Sequence, residues 1–186
     1  MAKRKRSLRI LSWNVNGVRA VGKKGFLEWL AADSPDILCL QETKAIPEQV
    51  PEPLREPDGY HACWNSAERK GYSGVSTFSR SEPAAIETGF GIKEYDVEGR
   101  VVMTAYPGFK LFNVYFPNGG RKLERLEFKL SFYEAFLAHC DALHAQGQLP
   151  SQGTIGHWAA FDGDTLIGRR LGHSAFFHSP NIDYDA

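Results

Sequence analysis

Ile37-Leu38-Cys39-Leu40-Gln41-Glu42-Thr43-Lys44 is the stretch on which the fold turns. Its opening run is apolar without a break, which suits a strand buried on both faces. A carboxylate follows at the strand's carboxyl end, the edge where open α/β sheets gather ligands. Working backward, residues 8–13 alternate as a strand that ends at Asn14, with a turn at Asn16-Gly17. Between the two strands, Phe26, Leu27 and Leu30 form a helical face that Asp33-Ser34-Pro35-Asp36 stops. Strand, helix, strand implies a right-handed parallel crossover. That topology sets Asn14 beside Glu42 on one sheet edge.

Working forward, a loop rich in Pro and Glu (Pro47, Glu48, Pro51, Glu52, Pro53, Pro57) precedes strands predicted at residues 61–64, 73–79, 100–106 and 110–116. The last two flank Pro107-Gly108 and read as an antiparallel hairpin. Residues 123–143 form the clearest helix. Leu126, Leu130, Tyr133, Leu137 and Cys140 recur at helical spacing, a stripe expected to pack into the core, and Gly147 is a plausible stop. From Gln148 on, neither the helical nor the strand period persists. Irregular or disordered structure is expected there, with Ser174-Ala175-Phe176-Phe177 as the last strand-like run.

A chain of 186 residues with 42% hydrophobic content suits one domain with a real core. Zero net charge excludes a globally basic DNA-coating protein. The distribution is uneven, however. Residues 145–186 hold Arg169 and Arg170 against Asp162, Asp164, Asp183 and Asp185, a net of −2 that leaves +2 for the rest. Residues 1–7 form a basic arm through Lys3-Arg4-Lys5-Arg6, which with Arg9 could touch phosphate or simply be solvated. Cys39, Cys63 and Cys140 lack ligand spacing and read as reduced thiols. No apolar run reaches the roughly 18 residues of a membrane span. The expectation is a soluble, cytoplasmic monomer with no membrane contact.

Glu42 is the sharpest candidate for chemistry. Anchored by a buried strand and aimed at a cleft, its charge needs compensation. A hard divalent cation supplies it, because Mg²⁺ takes one or two carboxylates plus phosphate and water. Spacing alone leaves an ion pair with Lys44 as the alternative. Asn14 is placed to coordinate the metal or to orient the carboxylate through its NH₂, or else it is a turn former. Tyr115-Phe116-Pro117-Asn118-Gly119-Gly120-Arg121 puts a phenol, an amide, two glycines and a guanidinium after another strand. Those groups suit phosphate, although Asn-Gly-Gly is also an ordinary turn.

Ser12-Trp13-Asn14-Val15-Asn16-Gly17-Val18-Arg19-Ala20, residues 35–44, Gly71-Tyr72-Ser73-Gly74-Val75, Glu98-Gly99-Arg100-Val101 and Tyr115-Phe116-Pro117-Asn118 occur in this order. Together they closely resemble exonuclease III and the apurinic/apyrimidinic (AP) endonucleases of the endonuclease/exonuclease/phosphatase superfamily, over roughly residues 7–145. The resemblance implies a two-sheet α/β sandwich with helices outside, acting on double-stranded DNA at abasic sites or 3′ ends with Mg²⁺ or Mn²⁺. It implies that Glu42 is the metal ligand with Asn14 beside it, that Tyr115 is the active-site tyrosine, and that Lys44 steadies Glu42 close to DNA. Tyr72, Arg100, Asn118 and Arg121 would contact DNA.

The same resemblance marks a departure. The family's later blocks, Gly-Asp-x-Asn after an apolar strand and a terminal Ser-Asp-His, have no counterpart here. Phe161-Asp162-Gly163-Asp164-Thr165 holds Gly-Asp, but Leu166 stands where Asn belongs, with no apolar strand expected before it. His157, His173 and His178 lack ligand spacing. The domain reading is therefore a basic arm at 1–7, the first half of the family domain at 8–147, and a non-matching tail at 148–186, disordered or frameshifted. The expected activity is an impaired, truncated DNA-repair phosphodiesterase. A non-catalytic DNA-binding fragment and an unstable product are the alternatives.

Overall fold

The computed structural model describes residues 8–120, 123–147, 160–162 and 165–166. Strands Ile10–Asn14 (β1) and Ile37–Gln41 (β2) are parallel, with Ile10 opposite Ile37 and Asn14 opposite Gln41. The crossover runs through helices Val18–Gly22 (α1) and Phe26–Asp33 (α2); α2 is the helix the sequence implies, and α1 is a short addition before it. Ser34 closes α2 in the left-handed region, φ +54°, its N–H donating to the Leu30 carbonyl at 2.9 Å. A one-turn helix, Glu52–Arg55 (α3), follows, then His61–Asn65 (β3) and Val75–Ser79 (β4). These four strands form one sheet in the order β1-β2-β4-β3.

The second sheet contains Ala85–Thr88 (β5), Val101–Tyr106 (β6), Phe109–Tyr115 (β7), Ala160–Asp162 (β8) and Thr165–Leu166 (β9), in that order. The β6–β7 pair is the antiparallel hairpin expected around Pro107-Gly108. Between β5 and β6 lies the short helix Lys93–Asp96 (α4), and Leu126–Ala145 (α5) follows β7.

Alternation along β2 explains the layers. All five of its residues are buried. Leu38 and Leu40 face outward onto Phe26, Leu30 and Leu54 of the helical layer, whereas Ile37 and Cys39 face inward onto Tyr106 and Leu111 of the second sheet. A polar tie also joins the sheets. Gln41 Nε2 donates to Ser12 Oγ at 3.0 Å and to Asn113 Oδ1 at 2.8 Å, and Asn113 Nδ2 donates to the Ser76 carbonyl at 2.9 Å. Buried amides need such partners. This tie fixes the backbone one residue before Glu42. Cys39 and Cys63 are buried free thiols, as expected, and burial pushes Cys39 up to about 12, so it is inert at neutral pH.

Two expectations need correction. In α5 the stripe read as core is split: Tyr133 and Cys140 pack against the core, but Leu126, Leu130 and Leu137 are 37%, 49% and 53% exposed. Phe132 and Phe136 take the inner face instead, packing with Phe112, Val114, Phe116 and Tyr95. The helix carries two apolar stripes, and the one with greater aromatic area is buried. The tail is also not wholly irregular. β8 lies parallel to β7, with Phe161 opposite Tyr115, and β9 turns back against β8. A three-residue strand has too little period to be legible, and the open edge of β7 supplies the missing partner. So a strand does precede Gly163-Asp164. Asp164 itself, like His157, His173 and His178, lies outside the described residues.

Among the described residues, no helix is long and apolar enough to cross a membrane.

Candidate active site

The turn after β2 leaves ordinary backbone space. Glu42 and Lys44 have φ of +56° and +52°, and Asn16 and Ser73 nearby have φ of +46° each. For non-glycine residues this conformation costs about 1–2 kcal/mol each, and it persists only where the surroundings impose it. They do so through main-chain bonds. Gly17 N–H donates to the Glu42 carbonyl at 2.7 Å and Val18 N–H to the Thr43 carbonyl at 3.0 Å. From the other side, Thr43 N–H donates to the Gly74 carbonyl at 3.1 Å and Lys44 N–H to the Ser73 carbonyl at 2.9 Å. Gly74 permits this closeness, since a Cβ there would stand 2.4 Å from Thr43 Oγ1. Three loops thus hold Glu42 in one pose.

Its side chain receives donors from three elements. Asn14 Nδ2 at 2.8 Å and the Tyr115 hydroxyl at 2.7 Å both donate to Oε1, and Lys44 Nζ lies 2.8 Å from Oε2. Burial pushes the carboxyl's pKa up, but the bonds from Asn14, Lys44 and Tyr115 outweigh it and the net shift is downward. Glu42 is therefore a carboxylate at neutral pH. Tyr115 moves the other way: burial, then the bond to Glu42 and its charge, raise the phenol above its usual range. Tyr115 is a neutral hydrogen-bond donor, not a phenolate. Lys44 Nζ also donates to Asn16 Oδ1, and Asn14 Oδ1 accepts from Asn16 N–H at 3.1 Å. Asn14 thus orients the carboxylate through its NH₂.

A second charged cluster adjoins the first through Tyr115. Arg100 is 2% exposed. Its guanidinium donates to Glu98 Oε2 at 2.6 Å, to the Tyr115 carbonyl at 2.9 Å and to the Tyr72 hydroxyl at 3.0 Å. It also lies 4.7 Å from the Tyr115 ring centroid. Arg125 donates to Glu98 Oε1 at 2.7 Å and to the Tyr72 hydroxyl. Gly99 is needed where it stands, because at φ +59° a Cβ would fall 2.3 Å from the Ser66 main chain.

Glu42, Asn14, Lys44 and Tyr115 come together directly, and Arg100 and Tyr72 join them through Tyr115. Arg100 holds protein groups with its nitrogens rather than facing solvent. Asn118 is exposed, and its Oδ1 accepts from Gly120 N–H at 3.3 Å, so it also builds its own turn. Arg121 lies outside the described residues. Glu98, Arg125 and Asn16 were not singled out. Glu98 stands in the Glu98-Gly99-Arg100-Val101 block, two residues from Arg100, but nothing local marks Arg125 as its second partner.

The donor set can be tested against a hard cation. Glu42 accepts three bonds, so one of the about four lone-pair positions of a carboxylate stays open. Among the described residues, no group of three His, Cys, Asp or Glu gathers for a metal. The residues fit a Mg²⁺ site with one protein carboxylate, completed by water and phosphate. They do not fit a multi-ligand cage.

A profile described as the Endonuclease/Exonuclease/phosphatase family matches residues 11–174. This chain belongs to that family. The match runs past residue 145, where the resemblance read from the sequence ends. Over 133 residues the chain is 43% identical to an exodeoxyribonuclease of Bacillus subtilis (strain 168), covering 71% of this chain and 52% of that protein. It is 39% identical over 145 residues to the DNA repair nuclease APEX1 of Danio rerio, covering 77% of this chain and 47% of that protein. The crystal structure of an AP endonuclease from Leishmania major superposes with a TM-score of 0.66 at 29% identity, over 83% of this chain and 55% of that one. The chain spans about half the length of these relatives.

Proposed function

We propose that the chain is a Mg²⁺-dependent DNA phosphodiesterase of the exonuclease III and AP endonuclease type, binding abasic sites or 3′ ends and hydrolysing them slowly. The observation that carries this reading is Glu42, held as a carboxylate by Asn14, Lys44 and Tyr115 at the edge where three loops meet. The named activities of the exodeoxyribonuclease and APEX1 relatives support the substrate class. Glu42 would hold the cation, with Mn²⁺ as a substitute. When bound, a divalent cation neutralises charge on a phosphate oxygen.

The chain's own residues supply the rest. Tyr115, kept protonated, can move its hydrogen bond from Glu42 to an incoming phosphate oxygen. Asn14 fixes the carboxylate's orientation, and Lys44 balances its charge until the anionic substrate arrives. Tyr72, Asn118 and Arg121 are assigned to the DNA backbone, and Arg100 to holding Tyr115 and Tyr72. Activating the attacking water takes a general base besides Glu42, and the loss of such a base commonly costs about 10²–10⁴ in rate.

Leu166, standing where the family's Gly-Asp-x-Asn block has Asn, favours the second reading, a chain that binds abasic DNA without cutting it. One experiment separates the two: incision of an abasic-site duplex with Mg²⁺, run beside a titration of the same duplex. Slow, Mg²⁺-dependent incision that Glu42→Gln abolishes is the expected result. Tight binding without incision moves the conclusion to the second reading, and no binding overturns both.

A further inference from the structure

Tyr72 carries an arrangement that the ion pairs alone do not require. Its hydroxyl oxygen accepts from two guanidiniums, Arg100 at 3.0 Å and Arg125. Among the described residues, the hydrogen bonds at this oxygen are all incoming. A phenol oxygen that has accepted two bonds keeps only its own proton to offer. The ring is held as well, with the Arg69 and Arg100 guanidiniums 5.2 Å and 5.7 Å from its centroid. Tyr72 is thus fixed in position and in donor sense.

Two guanidiniums sharing one neutral oxygen repel each other unless an anion lies between them. Glu98 is that anion. Its two oxygens are divided, Oε2 to Arg100 at 2.6 Å and Oε1 to Arg125 at 2.7 Å. We infer that Glu98 is a positioning residue: it yokes Arg100 and Arg125 so that both donate to Tyr72, leaving the Tyr72 hydroxyl as an oriented donor to a DNA phosphate oxygen. The inference rests on the DNA-binding reading above for its ligand, but not for the yoke itself. One cation's charge is cancelled and one remains, which favours an anionic oxygen as the acceptor over a neutral one.

The test is a double-mutant cycle between Glu98 and Tyr72 on affinity for an abasic-site duplex, at one salt concentration. Glu98→Gln should weaken binding about tenfold in the wild-type background, within the range for residues coupled through a contact. With Tyr72→Phe already present, the same change should cost less than about twofold. Equal losses in the two backgrounds overturn the proposal, because Glu98 would then act by general stability or charge.

A second measurement guards against misfolding of Glu98→Gln and against failure of the DNA reading. Arg125→Met removes the more exposed arm of the yoke, and tyrosines labelled with ¹³C at Cζ report the hydroxyl environment without DNA. The Tyr72 resonance should move in Arg125→Met, while that of Tyr60, whose hydroxyl donates to the Pro35 carbonyl at 2.8 Å, should stay. A wild-type chain that binds no duplex sinks the DNA reading only. An unmoved Tyr72 signal overturns the yoke.

Discussion

Glu42 and Glu98 have equally exposed side chains, 18% each, yet they do opposite things. Glu98 gives one oxygen to each of two guanidiniums, so two cations outweigh its charge inside the protein. Glu42 is held by two neutral donors and one lysine, which keeps it ionised but leaves coordination capacity. The difference lies in the partners. A guanidinium pair locks a carboxylate by charge and fork geometry, whereas an amide and a phenol orient it without cancelling it. Burial alone therefore says little about whether an acid is structural or reactive. What differs here is the partner set: two cations on Glu98, against one cation and two neutral donors on Glu42.

Stability should separate the two acids most strongly. Glu98→Ala leaves Arg100 buried without its anion, a change expected to cost about 3–5 kcal/mol. Glu42→Gln keeps an acceptor for Asn14 and Tyr115 and should cost about 1 kcal/mol or less. Urea melts of the two variants measure both numbers. Equal losses would erase the distinction between the two sites.

Metal affinity should reverse the order. Glu42→Gln should weaken Mg²⁺ binding at least about tenfold in calorimetry, as for loss of a hard-cation ligand or its support. Glu98→Gln should leave that affinity unchanged. Equal Mg²⁺ affinity in wild type and Glu42→Gln would remove Glu42 as the ligand.

Acid titration gives a smaller effect with a definite sign. The Glu42 carboxyl is held below its ordinary 4.5, so the folded state binds its proton less readily than the unfolded chain does. Its stabilisation is thus complete above about pH 5 and is lost as pH falls through 4.5 toward the folded value. The stability gap between wild type and Glu42→Gln should close over that window, as followed by urea melts at stepped pH. A gap that stays constant down to pH 3 would mean the bonds from Asn14, Lys44 and Tyr115 do not favour the charged form.

The Glu42 half of this comparison was legible in the sequence and the Glu98 half was not. An unbroken apolar run and a crossover rule are local signals, and together they place Asn14 and Glu42 on one edge. Glu98 and Arg100 share one segment, but Tyr72 and Arg125 lie on two others, and only the finished fold unites the three. No periodicity encodes a carboxylate shared by two arginines. The outer stripe of α5 misled for a related reason. Leu126, Leu130 and Leu137 keep as good a helical period as Phe132 and Phe136, and period alone does not say which face meets the sheet. The β8 strand was hidden because its pairing comes from β7 and not from its own three residues.

Salt dependence supplies the smallest expected effect and sharpens the contrast between cations held inside the protein and cations free for DNA. A lysine or arginine already neutralised by a carboxylate releases few counterions when phosphate binds, whereas an unneutralised one contributes nearly one unit to the slope of log affinity against log salt. Lys44 lies 2.8 Å from Glu42, so Lys44→Ala should change that slope by less than about half a unit. Arg121 follows the Tyr115-Phe116-Pro117-Asn118 block and lies outside the described residues. Arg121→Ala should flatten the slope by roughly one unit on abasic duplex, the signature of one lost phosphate contact. The measurement is an anisotropy titration of each variant at several salt concentrations. An unchanged slope for Arg121→Ala would take that residue out of the DNA interface. A full unit lost in Lys44→Ala would show that DNA draws Lys44 away from Glu42, which frees the carboxylate's second oxygen as the substrate binds.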